Sequence, residues 1–464
     1  MAQRLSGLDV QFLLLEKPSV HYHVAGLSVL DPSTRPGGPD GFFDDLKKLF
    51  IERQHLIPRF RQKVMFVPFG AGRPVWVDDP DFDLDFHFRK GALPKPGGRK
   101  ELADYVQRIH SRPLDRSKSL WEIYYIEGLE DGHVAVLNKV HHAMIDGVSG
   151  MDIATILFDL GPEPRVVEPE PFQPEPAPSP RDLLFNTLRE QVTHPVRTAL
   201  SNVALAVRTP EIILQQVRQT VAGLGSILAA GAPPKSPFNR PVGPNRRFAM
   251  TEAPVSDFKA IKNALGGTVN DVVLATVAGA LHRFLKRRGE PTQGLSLRAM
   301  VPVSTRDESQ KMALGNRVTS IFVDLPVGPM DAASRLRAIT ATTKDLKQSH
   351  QAVAAGALMN LGTWAPPTLH GMAARLVSRQ RLLNLVISNV PGPQIPIYLA
   401  GAKLLATYPV MPLGETLALA IACTSLGGTM AFGITSDWDS MPDIDGFALD
   451  LHNAILDLKK AAGE

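Results

Sequence analysis

The sequence predicts a mixed α/β (α+β) fold of two halves joined by a helical bridge. Strand and helix signals alternate through residues 1–160, and the same alternation recurs through 246–464. Between them, 161–245 have a different composition. From Gly161 to Pro180 eight of 20 residues are proline, interleaved with Glu163, Glu168, Glu170 and Glu175, which favours an extended linker over a packed core. Pro233, Pro234, Pro237, Pro241 and Pro244 close the segment that begins at Arg181.

In the first half, His23–Leu30, Trp121–Glu127 and His133–Val140 read as strands, and Gly41–Ile51, Glu101–Ser111 and Ser149–Leu160 as helices. Phe82, Leu84, Phe86 and Phe88 alternate with Asp83, Asp85, His87 and Arg89, a period of two that predicts a half-buried strand. In the second half, strands are expected at Phe248–Glu252, Leu297–Val303, Arg317–Leu325, Leu385–Ser388, Leu404–Val410, Leu417–Ser425 and Met430–Ser436. Helices are expected at Val255–Leu265, Val269–Arg287, Met330–Gln351 and Ile444–Lys460. Thr268 is placed to cap the second of these, with Asn270 and Asp271 in its first turn.

The bridge carries Leu184, Leu188, Val192, Val196, Leu200, Val203 and Val207 at helical spacing, with Pro195 positioned to kink the stripe. Over 181–250 nine basic residues face three acidic ones, a balance of +6, whereas the whole chain holds only +4 and the remainder therefore −2. A basic amphipathic helix suits an anionic membrane or lipid-droplet surface; packing against the two halves is the competing reading.

The weak whole-chain charge supplies no field for nucleic acid. A single cysteine, Cys423, excludes a disulfide framework and a cysteine-based zinc cluster and suits a reducing cytosol. The apolar run Phe12 to Leu15 is short for a secretory signal, and the long uncharged stretches are broken by Gly, Pro or polar residues. The expected location is the cytoplasm, with peripheral attachment to membrane or lipid inclusions.

Chemistry concentrates at Leu137–Gly150, LNKVHHAMIDGVSG, where a strand ends at two histidines followed by an acid and a glycine. An imidazole there can accept a proton from an alcohol near neutral pH. His141 and His142 should point to opposite faces if strand geometry persists, so one of them faces a cleft. Asp146 and Gly147 would shape the loop that follows. A zinc pair is disfavoured because adjacent strand histidines diverge, so no metal is assigned. Ordinary core or surface histidines remain an alternative, while a serine hydrolase lacks any G-x-S-x-G elbow.

His141 to Gly147, HHAMIDG, resembles the HHxxxDG motif of the CoA-dependent acyltransferase superfamily that includes chloramphenicol acetyltransferase and peptide-synthetase condensation domains. Within it the chain is similar to the bacterial wax ester synthase/acyl-CoA:diacylglycerol acyltransferase family. Supporting segments occur in order: LSGLDVQFLLLE near the N-terminus, RPLDRSKSLWE at Arg112–Glu122, NDVVLA at Asn270–Ala275, VPVSTR at Val301–Arg306, GNRV at Gly315–Val318 and SNVPGP at Ser388–Pro393.

The resemblance implies two chloramphenicol-acetyltransferase-like domains, 1–160 and 246–464, joined by a helical crossover, 161–245, with a tunnel to the catalytic loop from both faces. It implies transfer of a long-chain acyl group from acyl-CoA to diacylglycerol, and to fatty alcohol as wax ester synthesis. His142 would be the general base for direct attack without an acyl-enzyme, His141 a secondary candidate and Asp146 a loop-structuring residue. Gly147, Asn270 and Asp271 are candidate substrate contacts. Helix capping alone is the competing account of Asn270 and Asp271. Acyl-CoA is a co-substrate, and no cofactor is expected. Another alcohol or amine acceptor, or a lipid-surface protein without turnover, are the alternative functions.

Overall fold

The computed structural model describes residues 3–144, 150–190, 231–304, 318–348 and 382–464. Strands β1 (Gln3–Arg4), β3 (Gln62–Met65) and β4 (Val75–Asp78) form a small sheet. The first large sheet has six strands: β2 (His23–Asp31), β5 (Phe88–Ala92), β6 (Trp121–Glu127), β7 (Val134–His141), β12 (Tyr398–Leu399) and β13 (Ala402–Val410). Their order is β12-β13-β2-β7-β6-β5, antiparallel except for the β5–β6 pair.

The second large sheet contains β8 (Arg246–Pro254), β9 (Ser296–Ser304), β10 (Val318–Pro326), β11 (Leu385–Pro391), β14 (Leu419–Leu426) and β15 (Thr429–Asp437). Its order is β10-β9-β11-β14-β15-β8, with β11 parallel to both of its neighbours. The mixed α/β architecture expected from the sequence is present in both halves. The sheets do not respect the chain halves, however, because β12 and β13 come from the C-terminal half and extend the N-terminal sheet.

Helices cover the sheets. In the first half they are α1 (Gly7–Leu15), α2 (Phe42–Arg53), α3 (Leu84–His87), α4 (Arg99–His110) and α5 (Gly150–Leu157), followed by α6 (180–190) in the bridge. In the second half they are α7 (Val255–Leu265), α8 (Val269–Arg287), α9 (Ala332–Gln348) and α10 (Ile444–Ala462). Apolar faces of α7 to α10 bury Phe258, Leu281, Leu336 and Phe447 against Ile387, Ile421 and Phe432 of the second sheet. A separate core holds the first sheet and α2 around Trp121, Phe50 and Phe60. A third core joins the sheets, with Leu27, Tyr124, Leu137 and Tyr408 of the first meeting Phe248, Met250 and Ala431 of the second.

Two expectations are corrected, and one element was not foreseen. The period-two stretch at Phe82–Phe88 is a helical turn, Leu84–His87, that becomes strand only at Phe88. Asp83 caps it by accepting from the Asp85 N–H at 2.9 Å, and His87 is fully buried against Trp121. Helix α1 carries no forecast from the sequence, yet Ser6 and Asp9 form a capping box at its start. In α6 the inward residues are Leu183 and Thr187, while Leu188 of the expected stripe is 48% exposed. Residues 191–230, with the rest of that stripe, lie outside the described residues.

No single described helix is long and apolar enough to cross a membrane. Helices α7 and α8 reach that apolarity only as a pair bent by 98°, and both supply residues to the second core.

Candidate active site

The β7 strand ends at the motif. β7 ends at His141, opposite His23 of β2, and a 3-10 turn begins at His142, whose N–H still continues the ladder by donating to the Tyr22 carbonyl at 2.8 Å. Their side chains therefore diverge, as the alternation expected. His141 is buried and points toward Glu16, whereas the His142 ring stacks on Phe12 at 4.0 Å and 30°.

Burial lowers the His142 pKa to about 4, so the ring is neutral across the physiological range. Its Nδ1 is enclosed without a hydrogen-bond partner among the described residues. His141 Nδ1 accepts the Ala143 N–H at 3.1 Å, which leaves the proton on Nε2 and fixes the turn after the strand. Asp146 and Gly147 lie outside the described residues.

Behind His141 sits a compact charged cluster. Glu16 ends α1, and Arg116 grips its Oε2 through Nε at 2.7 Å while a terminal nitrogen donates to the same oxygen and to the Leu13 carbonyl. Burial pushes the Glu16 carboxyl up, but His141, His21, His23 and Arg116 outweigh it and hold the group well below the ordinary carboxylate range. Burial takes His23 down to about 3. Lys139, buried on β7, donates to the carbonyls of Ile109 and Arg112 at 3.0 and 2.5 Å, and burial lowers it to about 8.

Three sequence segments thus converge here: the N-terminal LSGLDVQFLLLE through Phe12 and Glu16, RPLDRSKSLWE through Arg112 and Arg116, and the histidine pair. The roles of Phe12, Glu16 and His23 were not foreseen. The available signal was the His21-Tyr22-His23 alternation just after an apolar helix.

A second convergence lies in the C-terminal half. Asn389 of SNVPGP donates to Asn270 Oδ1 at 3.3 Å, which ties the end of β11 to the first turn of α8. Asp271 is buried; Oδ2 accepts from the Thr268 N–H at 2.8 Å and Oδ1 from the Thr343 hydroxyl at 2.7 Å. Its carboxylate is engaged by the protein itself, as the capping account requires. Trp121 is an anchor, stacked between His87 and Phe60 with its Nε1 donating to the Phe60 carbonyl at 2.8 Å. Arg287 pairs with Asp450 and Arg288 with Asp443. A cavity of about 940 Å³ between α8, α9 and α10 includes none of the candidate residues.

Residues 5–273 match the wax ester synthase/diacylglycerol acyltransferase catalytic domain, and residues 314–459 match the C-terminal domain of the same family. A putative diacylglycerol O-acyltransferase of Mycobacterium tuberculosis is 36% identical over all of this chain and 91% of its own length. A probable diacylglycerol O-acyltransferase of the same organism is 34% identical over 98% of each chain. Among solved structures, a wax ester synthase/diacylglycerol acyltransferase from Marinobacter aquaeolei VT8 superposes with a TM-score of 0.72 at 28% identity, covering 100% of both chains. The first condensation domain of a calcium-dependent antibiotic synthetase shares the fold, with a TM-score of 0.57 at 14% identity over 100% of this chain and 96% of that one. With both family domains matched in order around an intact HHxxxDG sequence, the chain belongs to the wax ester synthase/diacylglycerol acyltransferase family and is an acyltransferase.

Proposed function

We propose that this acyltransferase moves a long-chain acyl group from acyl-CoA to the free hydroxyl of diacylglycerol, giving triacylglycerol, with His142 as the general base. The observation that carries the reading is the divergence of the two histidines. His141 is turned into a buried cluster, while His142 is neutral, half-buried and stacked on an aromatic ring.

The chemistry needs little more than a base and alignment. As His142 accepts the hydroxyl proton, the alkoxide oxygen bonds to the thioester carbonyl carbon. Collapse of the tetrahedral species breaks the C–S bond, and the imidazolium returns its proton to the departing CoA sulfur. No acyl-enzyme is required. By the family resemblance Asp146 is assigned the loop-structuring role, and Gly147 and Asn270 are assigned to substrate contact. Asp271 acts through the start of α8. No metal or other cofactor takes part in these steps.

The family's own name and those of the relatives support this acceptor class, and a fatty alcohol is the second acceptor of the same chemistry. The basic balance of the bridge and the exposed Phe185 and Leu188 on α6 support peripheral attachment to an anionic lipid surface on the cytoplasmic side.

The test uses labelled palmitoyl-CoA offered with dioleoylglycerol or with hexadecanol to wild type and His142→Ala. Triacylglycerol formation that falls at least ~100-fold in the variant, the scale of a lost general base, is the expected result. Wax ester as the sole product would reassign the acceptor, and an unimpaired variant would remove His142 from the mechanism.

A further inference from the structure

The Glu16 cluster contains an arrangement that proton chemistry at His142 does not use. His21 and His23 stand two residues apart at the entry to β2, so both turn to one face, and their rings stack at 5.3 Å and 8°. Glu16 Oε1 faces both, 3.7 Å from His21 Nδ1 and 3.6 Å from His23 Nε2. Those separations are too long for hydrogen bonds. His23 is fully buried and His21 is 7% exposed, yet His21 Nδ1 and both nitrogens of His23 lack hydrogen-bond partners. A buried imidazole nitrogen without a partner is costly, and two imidazoles facing one carboxylate oxygen point to a common missing ligand.

A small cation fits the geometry better than a rearranged hydrogen-bond network. The three donor atoms lie within 4.8 Å of one another. Ligands at 2.0–2.2 Å from a tetrahedral zinc would be separated by about 3.4 Å, close to the 3.6 and 3.7 Å found. Arg116 occupies Oε2 and leaves Oε1 for the histidines. His141 is not a ligand, because its Nδ1 accepts from Ala143 and its Nε2 therefore carries the proton.

We propose that Glu16, His21 and His23 form a binding site for a divalent transition ion of the zinc class, with a fourth position open. The ion would pin the end of α1 to the first strand residue beside β7 and so hold the shelf from which His142 projects. It would touch no reacting atom. This site is separate from the acyl-transfer reading and stands or falls without it.

The full-length protein is stripped with chelator, dialysed against Zn²⁺ or Co²⁺ and assayed by elemental analysis and visible spectroscopy. About one ion per chain is expected, with intense four-coordinate cobalt bands. His21→Ala and His23→Gln should lose the ion, while His142→Ala should keep it. A wild type that binds no stoichiometric metal overturns the proposal, as does retention of the ion by the His21→Ala/His23→Gln double variant. If the variants do not fold, the wild-type cobalt spectrum still decides, since weak octahedral bands alone would overturn the four-coordinate site proposed here.

Discussion

His141 and His142 are chemically identical neighbours made different by a strand's period of two. One turn of the backbone sends His141 into the Glu16 cluster; the next places His142 on Phe12. The pKa of His142 is set mainly by burial, with Asp9 of α1 raising it and His141 lowering it to a net value of about 4. Tyr22, whose ring lies 5.5 Å from Phe12, is pushed up to about 12 by burial and by Glu415, so it stays neutral. His142, the proposed base, should therefore remain deprotonated through the window where an ordinary histidine, at 6.5, would charge. The acid limb of kcat/KM is expected between about pH 4 and 5, measured where circular dichroism shows the fold intact. A limb near 6.5 would falsify the assignment of buried His142 as the base. The stability sign follows from the same depression. Native His142 contributes its full share above pH 6.5 and loses it as pH falls through about 4, because the unfolded chain binds the proton more readily.

At the scale of elements, helix α6 gives the bridge a testable surface. Leu183 and Thr187 face inward, and Arg4 secures the helix by donating to the Thr187 hydroxyl at 2.8 Å and pairing with Glu190. Phe185 is 68% exposed and Leu188 48%, apolar area that a lipid interface would cover. Phe185→Ser with Leu188→Ser should weaken cosedimentation with phosphatidylglycerol vesicles by about tenfold or more, given roughly 1.5–3 kcal/mol for full burial of each side chain. Binding that persists unchanged would exclude α6 as the contact. These elements also show what the sequence made legible. The ranges expected for α7 and α8 match the structure because long 3.6-residue periods are unambiguous, and Thr268 is the N-cap it looked to be. The Phe82–Phe88 alternation misled because Asp83 can cap a turn locally, a hydrogen bond that periodicity does not register. Glu16, His21 and His23 were not read as a group because the Lys17–Val20 turn that folds the helix end back on the strand start leaves no mark in the periodicity.

The molecule as a whole is held by the crossing of β12 and β13 into the first sheet, which no local pattern announces. A strand signal at 404–410 says nothing about which sheet it joins. In the fold β13 pairs with β2, and its face packs against β15 of the other sheet. The two backbones approach so closely that a Cβ added at Gly433 would meet the Pro409 carbonyl oxygen at 1.8 Å and Phe248 at 3.3 Å. Pro409 is opposite Gly26 in the β13–β2 ladder, so it cannot move away without disturbing the strand whose first residue faces His141. Phe248 belongs to the core shared by both sheets and is itself fixed by packing. Gly433→Ala therefore cannot be relieved by rotating a side chain; it must shift one sheet against the other. A loss of about 1–3 kcal/mol is expected, the usual cost of overpacking, seen as a fall in thermal midpoint. Because the strain enters where the halves meet, acyl transfer should fall further than the folded fraction does. A variant with wild-type midpoint and turnover would mean that the sheets are not locked at this contact and that the β13 crossing does not fix the position of the histidine strand.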